Sequence, residues 1–178
     1  VDGLVLGGSM ANTFLLAEGK SIGASLAEPE MVGIAKHIID VAISNDCKLF
    51  VPRDVVVSVE FKLGVAHRIT KIDDVADREM ILDAGPEAIA VASSFLQGCA
   101  TIVWNGPMGA FEIPPFDAAT TALAKVVAAE TQNNGLMSVA GGGDTMAALA
   151  NAGVNDQFSY VSTAGGAFLE WLEGKQLP

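Results

Sequence analysis

The sequence predicts an α/β fold, a three-layer α/β/α arrangement around a parallel, Rossmann-like sheet, and three observations carry that prediction. Short apolar runs bounded by turn residues recur along the chain, longer amphipathic stretches separate them, and clusters of glycine follow the runs. Strand and helix alternating at this spacing specify right-handed βαβ units, hence a parallel sheet covered on both faces.

The first run is Leu4 to Leu6, which ends at Gly7-Gly8. Pro29 to Asn45 then reads as a helix whose face is Met31, Ile34, Ala35, Ile38, Ile39, Ala42 and Ile43, with Pro29 where a first turn accepts proline. Leu49 to Val51 before Pro52 is the second strand, and Val65 to Arg78, polar and alternating, reads as a peripheral strand and loop. Pro86 to Gln97 repeats the helical design with Ile89, Ala92, Phe95 and Leu96. Thr101 to Trp104 leads into Asn105-Gly106, and Pro115 to Glu130 forms a helix on Ala119, Ala122, Leu123, Val126 and Val127. Met137 to Ala140 ends at Gly141, a helix from Thr145 to Asn151 follows, and Tyr160-Val161 precedes Ser162. Strands are expected to end at Gly7, Pro52, Asn105, Gly141 and Ser162, with the glycine clusters on one edge of the sheet.

A length of 178 residues suits one domain, and 51% apolar content with only 17% charged residues excludes intrinsic disorder. Ten Lys and Arg against 21 Asp and Glu give a net charge of −11, and the cations are scattered singly. Such a surface repels a phosphate backbone and an anionic leaflet, so neither nucleic acid nor membrane is expected as a partner. No apolar run is long enough to span a bilayer. Cys47 and Cys99 lack metal or redox spacing and read as buried free thiols, which suits a reducing cytoplasm. The chain opens on Val1, almost inside a strand, and reads as a piece of a longer protein.

Four clusters follow the strands: Gly7-Gly8-Ser9, Asn105-Gly106-Pro107-Met108-Gly109, Gly141-Gly142-Gly143-Asp144-Thr145 and Ser162-Thr163-Ala164-Gly165-Gly166-Ala167. Glycines there let backbone N–H groups approach an anion, and a following helix adds the positive end of its dipole. A tight turn that binds nothing explains any single cluster equally well. Asp144 is the most informative residue, because three glycines precede it at a helix start. It caps the helix, or it holds Mg²⁺ that separates its charge from bound phosphates. Glu112 offers a carboxylate to ribose hydroxyls or is a surface residue, and Asn105 donates its amide to a phosphate or shapes its turn. His37 and His67 have no nucleophile beside them and read as structural, and Trp104 and Trp171 read as packing residues. Neither GxxxxGK[ST] nor GxGxxG occurs, which argues against a P-loop and an NAD-type oxidoreductase domain.

These motifs, together with Leu82-Asp83-Ala84-Gly85-Pro86 and Trp104-Asn105-Gly106-Pro107-Met108-Gly109-Ala110-Phe111-Glu112, resemble phosphoglycerate kinase along the whole chain and in the family's order. The resemblance implies that residues 1–178 are the nucleotide-binding C-terminal lobe of a two-lobed, monomeric, cytoplasmic kinase. That kinase moves a phosphoryl group between 1,3-bisphosphoglycerate and ADP, giving 3-phosphoglycerate and ATP in glycolysis. It further implies nucleotide contacts at Gly7, Gly8, Gly85, Asn105, Gly109 and Glu112, and a Mg²⁺-nucleotide site at Gly142, Gly143, Asp144 and Thr145, with Asp144 on the metal. Gly165 and Gly166 would face the transferred phosphoryl group. Ser9 and Ala164 stand where the family usually has glycine. The family's Gly-Ala-Lys strand and its basic N-terminal lobe have no counterpart in the chain, so the chain alone is expected to be inactive. A nucleotide-binding module without catalysis is the alternative reading.

Overall fold

The computed structural model describes residues 1–162, 170 and 174–175. The chain forms two compact units, the first comprising Val1–Ala92 with Met108–Ala119 and the second Ser93–Pro107 with Thr120–Pro178.

The first unit opens with strand β1 (Gly3–Val5) and helix α1 (Gly8–Ala17). A 3₁₀ turn at Pro29–Met31 leads into α2 (Val32–Ser44), followed by β2 (Lys48–Phe50). β1 and β2 pair in parallel with Leu4 opposite Leu49, and the amide of Leu6 donates to the carbonyl of Phe50 at 2.9 Å, which carries the ladder to the edge of Gly7. α1 is buried on most sides, with Ala11, Phe14 and Leu15 in the core beside Leu6, Val55 and Val57.

The apolar face expected of α2 is wider than the seam that is buried. Ala35 and Ala42 are buried and Val32 and Ile39 partly so, whereas Ile34 is 52% and Ile43 73% exposed. Seven apolar residues wrap too far round the helix for one contact stripe, and the packed seam follows the narrower i, i+3, i+7, i+10 spacing.

The same unit holds β3 (Asp54–Ser58), β4 (Arg68–Lys71) and β5 (Met80–Ala84), which form an antiparallel sheet in the order β4-β3-β5. This sheet is an addition to the parallel strands expected of the α/β fold. Segments 59–67 and 72–79 contain no α-helix that could carry the chain back over the sheet, so each strand reverses beside its predecessor. Arg68–Lys71 is the expected peripheral strand, with only Thr70 buried. All five residues of β3 are buried in the centre of the sheet, including Asp54 and Ser58. Helix α3 (Pro86–Leu96) starts directly after β5.

The second unit contains β6 (Thr101–Asn105), β7 (Met137–Gly141) and β8 (Tyr160–Ser162), a parallel sheet in that order. Asn105 pairs with Gly141 and Gly141 with Ser162, so the three strands end level and the turns after β6 and β7 share one edge. Helix α4 (Ala118–Asn134) leads into β7, and α5 (Gly143–Asn151) follows it. Leu123, Val127, Ala140 and Leu149 are fully buried. Ser138 and Ser159 exchange bonds, the amide of each donating to the hydroxyl of the other at 3.1 and 3.0 Å, which pins the approach to β8 against β7. Trp104 stacks at a tilt on Phe158 with ring centroids 6.3 Å apart, the expected packing role. Among the described residues no helix is long and apolar enough to cross a membrane.

Candidate functional site

Gly7 is extended (φ −140°) and is the N-cap of α1, while Gly8 is left-handed at φ +58°. A Cβ on Gly7 would lie 2.7 Å from Cα of Met108, and the amide of Gly8 donates to the carbonyl of Met108 at 2.8 Å. The glycine pair is therefore required by the close passage of the Met108 backbone, and one of its amides is already occupied. Gly85 is buried under a similar constraint. A Cβ there would stand 2.2 Å from Oδ2 of Asp54, and its amide donates to the Asp54 carbonyl at 2.8 Å. The next free amides of α3, on Glu87 and Ala88, donate to Oδ2 and Oδ1 of Asp54 at 2.9 and 2.7 Å. Asp54 thus caps α3 from a neighbouring strand, a role no local sequence pattern marks.

Asp83, the other buried carboxylate of this sheet, is 2% exposed. Its Oδ1 accepts from the amide of Ala84 and its Oδ2 from that of Ala119, both at 2.9 Å. A Cβ on Gly109 would come within 2.2 Å of Oδ1, so only glycine fits there. Burial pushes the carboxyl up to about 7, against the lowering effect of the Ala119 and Ala84 amides. Glu112 is exposed on the turn that follows Gly109, and the amide of Ala110 donates to the carbonyl of Leu82 at 2.8 Å. Gly8, Asn12, Asp83 and Met108 contribute to a small cavity, and Oδ1 of Asn12 is buried without a partner among the described residues.

In the second unit Asn105 ends β6, and its Oδ1 lies 3.0 Å from where a Cβ on Gly142 would be. Gly142 has φ +102° and caps α5, with its amide donating to the Ser162 carbonyl at 3.1 Å. Helix α5 begins at Gly143, two residues ahead of the expected start, so Asp144 sits inside the first turn and is exposed there. That placement removes the N-cap role, which Gly142 fills with no side-chain bond. The first-turn amides of Gly143 and Asp144 have no intrahelical acceptor and lie beside the exposed Asp144 carboxylate. Thr145 is buried, and its hydroxyl accepts from the amide of Gly106 at 2.7 Å, which ties the turn after β6 to the turn after β7.

Gly165, Gly166 and the rest of 163–169, like Trp171, lie outside the described residues. Gly7, Gly8, Gly85, Gly109 and Glu112 belong to the first unit, and Asn105, Gly142, Gly143, Asp144 and Thr145 to the second. Cys47 and Cys99 form no disulfide among the described residues and are half-buried rather than buried, each lying just beyond the C-terminus of a helix. His37 is exposed, and His67 sets its ring edge-on to Phe116 at 6.0 Å. Lys20 pairs with Asp73 at 2.8 Å and Arg68 with Glu79 at 2.7 Å, and Arg53, Lys62 and Lys71 also have carboxylate partners. No group of three or more His, Cys, Asp or Glu among the described residues would hold a metal unaided.

Parallel strands that end level, with a glycine turn after β7 that opens a helix, define a mixed α/β protein of the open-sheet class. The family model for phosphoglycerate kinase matches residues 1–175. The chain belongs to the phosphoglycerate kinase family. It is 57% identical over 178 residues to the phosphoglycerate kinase of Xanthobacter flavus and 58% identical over the same length to that of Azorhizobium caulinodans, covering all of this chain and 45% of each relative. The solved phosphoglycerate kinase of Coxiella burnetii superposes with a TM-score of 0.94 at 47% identity, over 98% of this chain and 44% of that one. That of Pyrococcus horikoshii gives 0.80 at 26% identity. The chain thus spans less than half the length of the relatives it matches.

Proposed function

We propose that this chain is the C-terminal, nucleotide-binding lobe of a cytoplasmic phosphoglycerate kinase, serving phosphoryl transfer between 1,3-bisphosphoglycerate and ADP. The observation that carries the proposal is the start of α5, where the first-turn amides of the exposed Gly143 and Asp144 come directly after a strand that ends level with Asn105 and Ser162. Those amides and the helix dipole suit a phosphate. Gly7, Gly8, Gly85, Gly109 and Glu112 would serve the adenosine end of the nucleotide. Gly165 and Gly166 would serve the transferred group.

Asp144 fits Mg²⁺, because one exposed hard carboxylate beside a phosphate cradle is the donor set this cation takes, with phosphate oxygens and water completing it. When bound, the ion neutralises phosphate charge and orients the terminal phosphates. Asp144 would hold it from the first turn of α5, while the Thr145 hydroxyl keeps the turn after β6 in place.

A nucleoside triphosphate brings roughly four negative charges, and a helix end supplies only about half a charge. The chain's own charge is −11, and Lys20, Arg53, Lys62, Arg68 and Lys71 are engaged with carboxylates. The cationic groups that stabilise the transition state, and the site for 3-phosphoglycerate, would come from sequence beyond this chain. Calorimetric titration with Mg-ADP tests the reading. Binding that requires Mg²⁺ supports it, and equal affinity with EDTA present refutes the metal role of Asp144.

A further inference from the structure

The segment 109–119 begins and ends on one side chain. At its start Gly109 packs against Oδ1 of Asp83, and Ala110 donates to the adjacent Leu82 carbonyl; at its end the amide of Ala119 donates to Oδ2 of Asp83. Between them Phe111 and Phe116 are buried and Glu112 is exposed. We propose that Asp83 is a positioning residue that closes this segment into a fixed loop and thereby sets Glu112 for the nucleotide. The inference rests on the nucleotide reading above. Closing the loop through one carboxylate removes the chain entropy that Glu112 would otherwise lose on binding.

The ionised form makes the better clamp, since a protonated oxygen is a poorer acceptor for an amide. The charge that acts on it is that of Asp117 within the segment, while Asp54, on the adjacent β3, has its carboxylate held by α3. From α1 only uncharged residues, Gly8, Ala11, Asn12 and Leu15, line the adjoining cavity. Among the described residues no cation offsets its burial, which pushes the carboxyl up to about 7. Protonation relieves the buried charge, so lowering the pH stabilises the fold while it loosens the clamp. Stability and nucleotide affinity then move in opposite directions, which a purely structural carboxylate would not produce.

The experiment is titration of Mg-ADP into the chain, and into a full-length relative carrying this segment, at about pH 6 and about pH 8. Asp83→Asn is expected to weaken binding about tenfold at the higher pH and by less than about twofold at the lower, the ratio cancelling titration of the ligand itself. Ala119→Pro, which removes the amide donated to Oδ2 in the first turn of α4 without touching the charge, is expected to weaken binding similarly. It also decides the matter should Asp83→Asn fail to fold. Equal affinity of Asp83→Asn and parent at the higher pH, a ratio that does not change with pH, or unchanged affinity in Ala119→Pro overturns the role of Asp83 while leaving the nucleotide reading intact. A parent that binds no Mg-ADP in either context overturns both.

Discussion

Two aspartates on neighbouring strands and a third on a helix do different work because of where the backbone puts them. Asp54 and Asp83 point into the protein, where amides fill their oxygens, whereas Asp144 stands in the first turn of α5 facing solvent. Asp144→Asn keeps the size of the side chain and adds no cap loss, because Gly142 is the cap. Its melting temperature should match the parent's while Mg-ADP affinity falls by about tenfold or more, as read by calorimetry. For Asp83 the sign of the pH dependence is fixed by a folded value near 7 against 3.8 unfolded. Between those values the folded state holds the extra proton, so stability falls as pH rises from about 4 to about 7 and is level beyond either end. Denaturant melts should show that slope in the parent and its absence in Asp83→Asn.

At the scale of elements, capping and packing set the costs. Asp54→Ala leaves the amides of Glu87 and Ala88 without their acceptor at the part-buried start of α3, and a loss of about 1–2 kcal/mol is expected in urea melts. Helix α2 separates burial from hydrophobicity. Ile43→Lys, on the exposed side, should change stability by less than about 0.5 kcal/mol, whereas Ala35→Leu must overpack a seam where Ala35 is 2% exposed and should cost about 1–3 kcal/mol. Equal effects of the two substitutions would contradict the seam described above.

For the whole molecule the governing quantity is charge. At −11, with most of the cations near β3 to β5 already paired, the chain offers an anionic acceptor no basic site among its described residues. In a coupled assay with ATP and 3-phosphoglycerate, the purified chain should give no turnover above background. Turnover near that of a full-length kinase would show that catalytic groups reside within these residues. Mg-ADP binding, by contrast, should persist weakly and decline with added salt, as expected of an electrostatic contribution.

Local pattern was enough for everything that depends on neighbours in sequence. Periodicity marked the five strands of the parallel ladders and the four helices α2 to α5, and the glycine clusters marked the turns at their ends, because strand and helix repeats and turn chemistry are written within a few residues. The resemblance of the whole motif set marked the family. Tertiary structure alone decided the antiparallel sheet, since Asp54–Ser58 and Met80–Ala84 carry buried polar residues and become strands by pairing with each other. It also decided why Gly85 and Gly109 must be glycine. The answer is the carboxylates of Asp54 and Asp83, one 31 and the other 26 positions earlier in the chain, pressed into the space a Cβ would fill. A sequence states that a residue is small; only the folded chain states what it makes room for.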